Sequence, residues 1–123
     1  LTYIKYLAIY KKSKIVFNTN WVAANMNKYH CVGRNFEALL TGSLLISQKC
    51  VGLNYFFNEG EDYINFDSLK DLTNKITYYI NNDNKRLLIA TTGNKKAINL
   101  YNNGNYLKSI NKNLNKFNLK EIN

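Results

Sequence analysis

The fold class is decided by residues 33–47, which read GRNFEALLTGSLLIS. Residues 34–41 carry apolar side chains at helical spacing, and Gly42 directly after them is a typical helix stop. The predicted core side of this helix consists of Phe36, Leu39 and Leu40. Residues 43–47 then form a short apolar run of the kind found in buried strands. This stretch therefore predicts a helix that is followed at once by a strand.

The same alternation extends through the rest of the chain. Further strands are predicted at 14–18 and 62–66. Two further helices are predicted at 1–12 and 106–117. Another begins after a cap at Asp67 or Ser68 and ends at Asn81 or Asn82. The next begins after a cap at Asp83 and ends at about Tyr101. Strands that alternate with helices indicate an α/β protein with a parallel sheet.

The two long helices of the second half have predicted inward faces. These consist of Leu69, Leu72, Ile76, Tyr79 and Ile80 on the first, and of Leu87, Leu88, Ala90, Ala97, Ile98 and Leu100 on the second. Gly93 lies in the middle of the second helix, where glycine costs about 1 kcal/mol relative to alanine. We therefore expect a bend or a break at Gly93.

Length and composition exclude several classes of protein. A chain of 123 residues has room for one domain, predicted over 1–123 as an α/β part at 1–102 and a basic C-terminal helix or tail at 103–123. Its 46% of apolar residues are too many for a disordered tail. It has no apolar run near 18 residues and no long apolar stretch typical of a signal peptide. Cys31 and Cys50 are too few for a disulfide framework or a four-cysteine zinc site, and reduced thiols are expected.

The net charge of +9 raises nucleic acid, anionic lipid and phosphorylated ligands as partners. From Lys85 onward there are eight basic residues and a single acid, Glu121. These lysines are spaced apart, and arginine, the better residue for recognising phosphates and bases, occurs only at Arg34 and Arg86. A solvated lysine face is the favoured interpretation, and a nucleic-acid-binding domain remains the alternative.

Taken in order, residues 33–47, Gly52-Leu53, residues 56–60 and a following strand resemble one known pattern. The pattern is typical of the C-terminal, nucleotide-sugar-binding half of GT-B glycosyltransferases. The resemblance is strongest to the spore-maturation (CgeB-like) group, which carries Arg-x-Phe-Glu-Ala-x-x-x-Gly before an apolar strand. Residues 84–93, NKRLLIATTG, are similar to that group's usual ending. The resemblance covers about 10–101 and implies a Rossmann-like, three-layer α/β fold.

The resemblance also implies a donor-binding site around the first turns of the helix at 33–41. It assigns Glu37 to the ribose hydroxyls of the donor, and a carboxylate suits a vicinal diol. Gly33 lets the backbone approach a diphosphate, which gains from the N–H groups and the dipole at a helix N-terminus, and Arg34 adds a charged fork. Asn35 and His30, beside this turn, complete the predicted donor contacts. No catalytic residue is assigned.

The same residues also have ordinary structural interpretations. Gly33 and Gly42 suit the ends of a loop and a helix, and Arg34 suits an exposed helix position. Glu37 suits an acid that complements the helix dipole, and His30 suits an incidental loop residue. Many retaining GT-B enzymes have a second acid eight positions before this glutamate, where Tyr29 stands here, so the paired-carboxylate version of the motif is absent.

The expected function is thus that of part of a glycosyltransferase. The intact protein would transfer a sugar from a nucleotide-diphospho-sugar to an unidentified acceptor, with no metal or other cofactor and with an N-terminal GT-B domain that this chain lacks. The alternatives are a non-catalytic binding or scaffolding module with the same fold and a basic nucleic-acid-binding domain. We also expect a cytoplasmic location, including the inner membrane face, and self-association through an open sheet edge or the last helix.

Overall fold

A computed structural model describes residues 2–19, 33–50 and 52–104 of the chain. The elements are α1 (Tyr3–Lys12), β1 (Ile15–Asn18), α2 (Gly33–Thr41), β2 (Leu44–Gln48), a 3-10 turn (Leu53–Tyr55), β3 (Ile64–Phe66), α3 (Leu69–Asn81) and α4 (Asp83–Asn102). The predicted helices and strands in these ranges are therefore confirmed to within about two residues at each end. The helix predicted at 106–117 lies outside the described residues.

The three strands form one parallel sheet in the order β1-β2-β3. In the register of the sheet, Val16 pairs with Leu45, and Ile46 pairs with Ile64. The central strand β2 is buried from Leu44 to Ser47. Burial on both faces is what a continuous apolar run predicts, because the helices of parallel crossovers cover both sides of such a sheet.

Two apolar clusters lie on the two faces of the sheet. The first contains Leu45 with Leu39 of α2, and the second contains Leu44 and Ile46 with Leu72 of α3. Helix α4 contributes Ile89 and Ala90 to the second cluster and Ala97 to the first. The result is the predicted α/β, Rossmann-like architecture with helices on both sides of a parallel sheet.

Side chains and glycine set the helix ends. The Thr2 hydroxyl caps α1 by accepting from the Lys5 N–H at 3.4 Å, and the Ser68 hydroxyl caps α3 by accepting from the Asp71 N–H at 3.1 Å. Ser68, rather than Asp67, is thus the cap of α3. Gly42 ends α2 with a φ of 85°, a left-handed conformation that favours glycine.

Three predictions about α4 are corrected by the structure. The helix runs unbroken through Gly93, so no break occurs there. Asn82 rather than Asp83 is its cap residue. Leu87 and Leu88, predicted to face inward, are 55% and 68% exposed.

The reason is that α4 packs closely and buries small residues. Ala90, Gly93 and Ala97 are buried together with Arg86 and Ile89, while Leu87, Leu88 and Ile98 lie on the exposed sides. The remaining residues predicted to face inward and found exposed are Leu40, Leu69, Ile80 and Ile98. The other residues predicted to face inward are buried or half-buried: Phe36, Leu39, Leu72, Ile76, Tyr79, Ala90, Ala97 and Leu100. Apolar character at helical spacing therefore identified the buried side of these helices only in part.

Strands β1 and β3 form the two edges of the sheet within the described ranges. Self-association through an open edge stays a prediction. Across the described residues, no helix combines the length and apolar composition needed to span a bilayer.

Candidate functional site

The helix that carries the described site residues, Gly33 to Glu37, begins at the carboxyl end of the parallel sheet. Parallel strands bring their carboxyl ends to one edge, and α2, the next described element after β1, begins at Gly33. Open α/β sheets bind ligands in the crevice outside this edge. In α2, Gly33 and Glu37 are four residues apart and so share one side of the helix.

Asn35 anchors the first turn of α2 to the end of β1. Its Oδ1 accepts a hydrogen bond from Asn18 Nδ2 at 3.0 Å, and both side chains are buried. A hydrogen-bonded pair of this kind satisfies polar groups that would otherwise be costly to bury. The structure thus gives Asn35 a positioning role for the helix start, and its contact with a donor stays a prediction.

Glu37 turns its carboxylate towards α1. The Tyr3 hydroxyl donates to Oε1 at 2.9 Å, and the Tyr6 hydroxyl lies 3.1 Å from Oε2. The hydroxyls of Tyr6 and Tyr10 are 2.8 Å apart. A half-buried carboxylate on the second turn of α2 is therefore held by a row of tyrosines on the neighbouring helix.

The tyrosine row follows from the spacing of α1. Positions 3, 6 and 10 lie on one side of a helix, and the rings of Tyr3 and Tyr6 stack with centroids 6.1 Å apart. The rings of Tyr6 and Tyr10 are 4.7 Å apart and tilted by 46°. In the sequence, these tyrosines stand at helical spacing between apolar positions. Their shared side was a signal of a common neighbour, and only the packing of α1 on α2 identifies that neighbour as Glu37.

The surroundings raise the pKa of the Tyr3 and Tyr6 hydroxyls. Burial raises the pKa of Tyr6 well above its usual range, with further contributions from the hydrogen bonds to Tyr10 and Glu37. The hydrogen bond to Glu37 likewise raises the pKa of Tyr3. A tyrosine hydroxyl with its ordinary pKa of about 10 is already neutral at physiological pH, so Tyr3 and Tyr6 carry the proton that they donate to the carboxylate there.

Gly33 and Arg34 are exposed at the start of α2. In an α-helix the N–H groups of the first turn have no partner within the helix, so they and a neighbouring guanidinium are suited to an anion. His30 and Tyr29 lie outside the described residues, so the structure does not test the predicted contact of His30 with the donor.

An apolar cleft borders the start of α2. Its volume is about 190 Å³, and it is lined by Gly33, Phe36, Leu40, Phe57, Ala97, Leu100 and Tyr101. The rings of Phe36 and Phe57, which both line it, have centroids 5.8 Å apart. The cleft joins α2, α4 and the turn after β2, which sequence analysis did not connect.

A second, polar cleft of about 210 Å³ lies at the β3 side and contains none of the predicted site residues. There the Lys75 ammonium lies 2.8 Å from Asp71, and its hydrogen bond lowers the pKa of that carboxyl. In the part of the chain that the structure describes, no group of three His, Cys, Asp or Glu side chains is placed to hold a metal ion. The expectation that a donor is bound without a metal stays a prediction.

Comparisons with known proteins agree with this architecture. A family model described as "Glycosyl transferase-like" matches residues 1–111. No curated protein sequence gives a significant match. The fold is similar to that in the crystal structure of HepE from Anabaena in complex with UDP and glucose, with a TM-score of 0.66 and 19% identity. That match covers 88% of this chain and 29% of the other, so this chain spans less than a third of that protein's length.

Proposed function

This chain belongs to the glycosyl transferase-like family, and we propose that it forms the part of a glycosyltransferase that binds the nucleotide of a nucleotide-sugar donor. In the intact protein, the sugar would pass from a nucleotide-diphospho-sugar to an acceptor. Within the family, the order of motifs favours a GT-B enzyme of the CgeB-like group.

The observation that carries this proposal is the placement of Glu37. Its carboxylate lies on the second turn of a helix that begins at the carboxyl end of the sheet, one turn from Gly33 and Arg34. A ribose diol is a pair of hydroxyl donors, and a carboxylate is an acceptor pair of matching size. With the ribose at Glu37, the diphosphate of the same nucleotide can reach the N-terminus of α2 about one turn away.

The chemistry of the leaving group suits the same helix end. When the sugar is transferred, the nucleoside diphosphate leaves with added negative charge. The N–H groups at the start of α2 and the Arg34 guanidinium would stabilise that charge as it develops, which lowers the barrier to transfer. The fold match to a protein that was crystallised with UDP and glucose supports a uridine nucleotide as the first ligand to test.

The test is a heteronuclear NMR titration of the chain with UDP, GDP and UDP-glucose. We expect chemical-shift changes to cluster at 33–37. Glu37→Gln keeps the shape of the side chain but removes its charge, and we expect it to weaken binding by about 10-fold or more, since hydrogen bonds to a charged group contribute about 1.5–3 kcal/mol.

Glu61→Gln is the matched control, because Glu61 is an exposed acid whose carboxylate bonds to Asn58 in the loop before β3. It should leave the affinity within about two-fold of the wild type. Equal weakening by both variants would show that the nucleotide does not bind at Glu37, and the absence of shifts would favour a scaffolding module. Binding of DNA or RNA that weakens steeply with salt would favour the nucleic-acid alternative.

A further inference from the structure

We propose that Tyr6 and Tyr3 are positioning residues for Glu37, holding its carboxylate so that each oxygen keeps one acceptor position open for a hydroxyl of the ribose diol. This inference rests on the proposed function, and it assigns a role to α1, which lies outside the motif that carries the family resemblance.

The geometry divides the two tyrosines between the two oxygens. Tyr3 donates to Oε1 at 2.9 Å, and Tyr6 lies 3.1 Å from Oε2. A carboxylate offers about four lone-pair positions, so one contact on each oxygen leaves about two open. The terminal torsion of a glutamate is otherwise broad. Two donors on different oxygens remove that freedom and set the plane of the carboxylate before a ligand arrives, which lowers the entropic cost of binding.

Tyr6 is the stronger of the two positioning groups because it is itself held in place. Its ring packs against that of Tyr10, and its hydroxyl lies 2.8 Å from that of Tyr10. Tyr10 in turn packs against the apolar cluster that contains Leu39. Tyr3 is 61% exposed and lies at the first position of α1, so its hydrogen bond competes with water.

The opposite role would be a cap that competes with the ligand for Glu37. Each carboxylate oxygen of Glu37 has one tyrosine hydroxyl beside it, and this arrangement favours the positioning role. A competing cap would have to occupy the acceptor positions that the diol needs. The two roles predict opposite signs when a tyrosine hydroxyl is removed. Removal weakens nucleotide binding in the first case and strengthens it in the second.

The experiment compares UDP with 2′,3′-dideoxyuridine diphosphate, which lacks the diol. Dissociation constants are measured by NMR titration for the wild type, Tyr6→Phe and Tyr3→Phe. We expect Tyr6→Phe to weaken UDP binding by about 3- to 10-fold, the equivalent of one hydrogen bond, and Tyr3→Phe to weaken it less. Neither should change the affinity for the dideoxy compound by more than about two-fold, since the effect acts through the ribose hydroxyls.

Two controls separate positioning from a general structural effect. Tyr78→Phe removes a hydroxyl that accepts from Lys85 on α4, away from Glu37, and should leave both affinities unchanged. In a Glu37→Gln background, Tyr6→Phe should have no further effect on UDP binding, because its target is already gone. Tyr3→Phe, at an exposed position, serves as the second variant if Tyr6→Phe disturbs the fold.

The outcomes distinguish this inference from the proposed function. If the wild type prefers UDP to the dideoxy compound but Tyr6→Phe binds UDP equally well or more tightly, the positioning role is overturned and the proposed function stands. Equal weakening of both ligands by Tyr6→Phe also overturns it. If the wild type binds neither compound, or does not discriminate between them, the donor site at Glu37 and the positioning role are both refuted.

Discussion

Gly93 in the middle of α4 lies directly against the backbone of Asp62, in the turn before β3. A Cβ atom on Gly93 would lie 2.1 Å from the Asp62 carbonyl oxygen and 2.9 Å from Leu39 Cδ2. This contact explains why a long helix carries a glycine at its centre. The missing side chain lets α4 approach the loop and α2 more closely than any other residue would allow.

Replacing Gly93 with alanine should therefore destabilise the protein. Alanine is the better helix former by about 1 kcal/mol, but its Cβ would force backbone apart, and such overpacking costs typically about 1–3 kcal/mol. We expect a net loss in the free energy of unfolding, measured by urea denaturation. Thr92→Ala, at the neighbouring exposed position, should change it by less than about 0.5 kcal/mol. A Gly93→Ala protein as stable as the wild type would contradict the close approach.

Asp62 also depends on a cation from α4. Its buried carboxylate accepts from the Asn58 N–H at 2.7 Å and from Lys96 Nζ at 2.7 Å. Lys96→Met removes the cation and leaves the buried oxygen short of a partner, which should cost about 1–3 kcal/mol in the free energy of unfolding. Lys95→Met, at the exposed neighbouring position, is the matched control. Equal effects of the two substitutions on the urea midpoint would show that the ion pair contributes nothing.

The start of α4 should make stability depend on pH. The buried Arg86 guanidinium donates to the Asp83 carboxylate and to the Tyr79 carbonyl oxygen at 3.3 Å. Its hydrogen bond to Asp83 lowers the pKa of that carboxyl below its usual range. A carboxyl group whose pKa is lower in the folded than in the unfolded protein stabilises the fold at any pH above its unfolded-state pKa, which is about 3.9 for aspartate. This contribution is lost as the pH falls through the folded-state pKa.

Asp83→Asn should accordingly lower stability near neutral pH, and the difference from the wild type should shrink in acid below about pH 4. Urea unfolding at a series of pH values measures this difference. In an Arg86→Met background the dependence on Asp83 should largely disappear, because its main partner is absent. A difference that stays constant from neutral to acid pH would refute the contact.

The contact between α1 and α2 can be tested without a ligand. Glu37→Gln removes a negative charge beside the Tyr6 hydroxyl, so the Tyr6 pKa should fall towards its usual value while burial keeps it raised. NMR of the protein labelled with ¹³C at the tyrosine Cζ follows this titration against pH, with the Tyr6 signal assigned by its absence in Tyr6→Phe. Glu61→Gln, in the loop before β3, should leave it unchanged. A Tyr6 titration that does not respond to Glu37→Gln would mean that the two side chains are not in contact.

Much of the fold could be predicted from local patterns. Strands at β1, β2 and β3, the helices of the described ranges and the parallel sheet all followed from short apolar runs, helical spacing and caps such as Ser68. The position of Glu37 in the first turns of a helix that a strand follows also came from sequence, because residues 33–47 are contiguous. These features depend on residues a few positions apart, where spacing and backbone preference are sufficient.

Which sides of the helices are buried was decided by tertiary structure. Leu69, Leu87 and Leu88 have the apolar character of core residues and are exposed. Gly93 has a low helix propensity, yet it is the residue that lets α4 pack closely against Asp62 and Leu39. Helical periodicity identifies an apolar side, but the space available between two elements determines whether a large or a small residue faces inward.

The surroundings of the candidate site depended on the same long-range packing. Tyr3 and Glu37 are 34 positions apart, and Tyr6 and Glu37 are 31 apart. No spacing rule connects residues at such distances; the sheet connects them, because it brings α1 and α2 side by side on one face. Contiguous sequence therefore determined which carboxylate stands at the start of α2, while the packing of α1 determined which hydroxyls hold it.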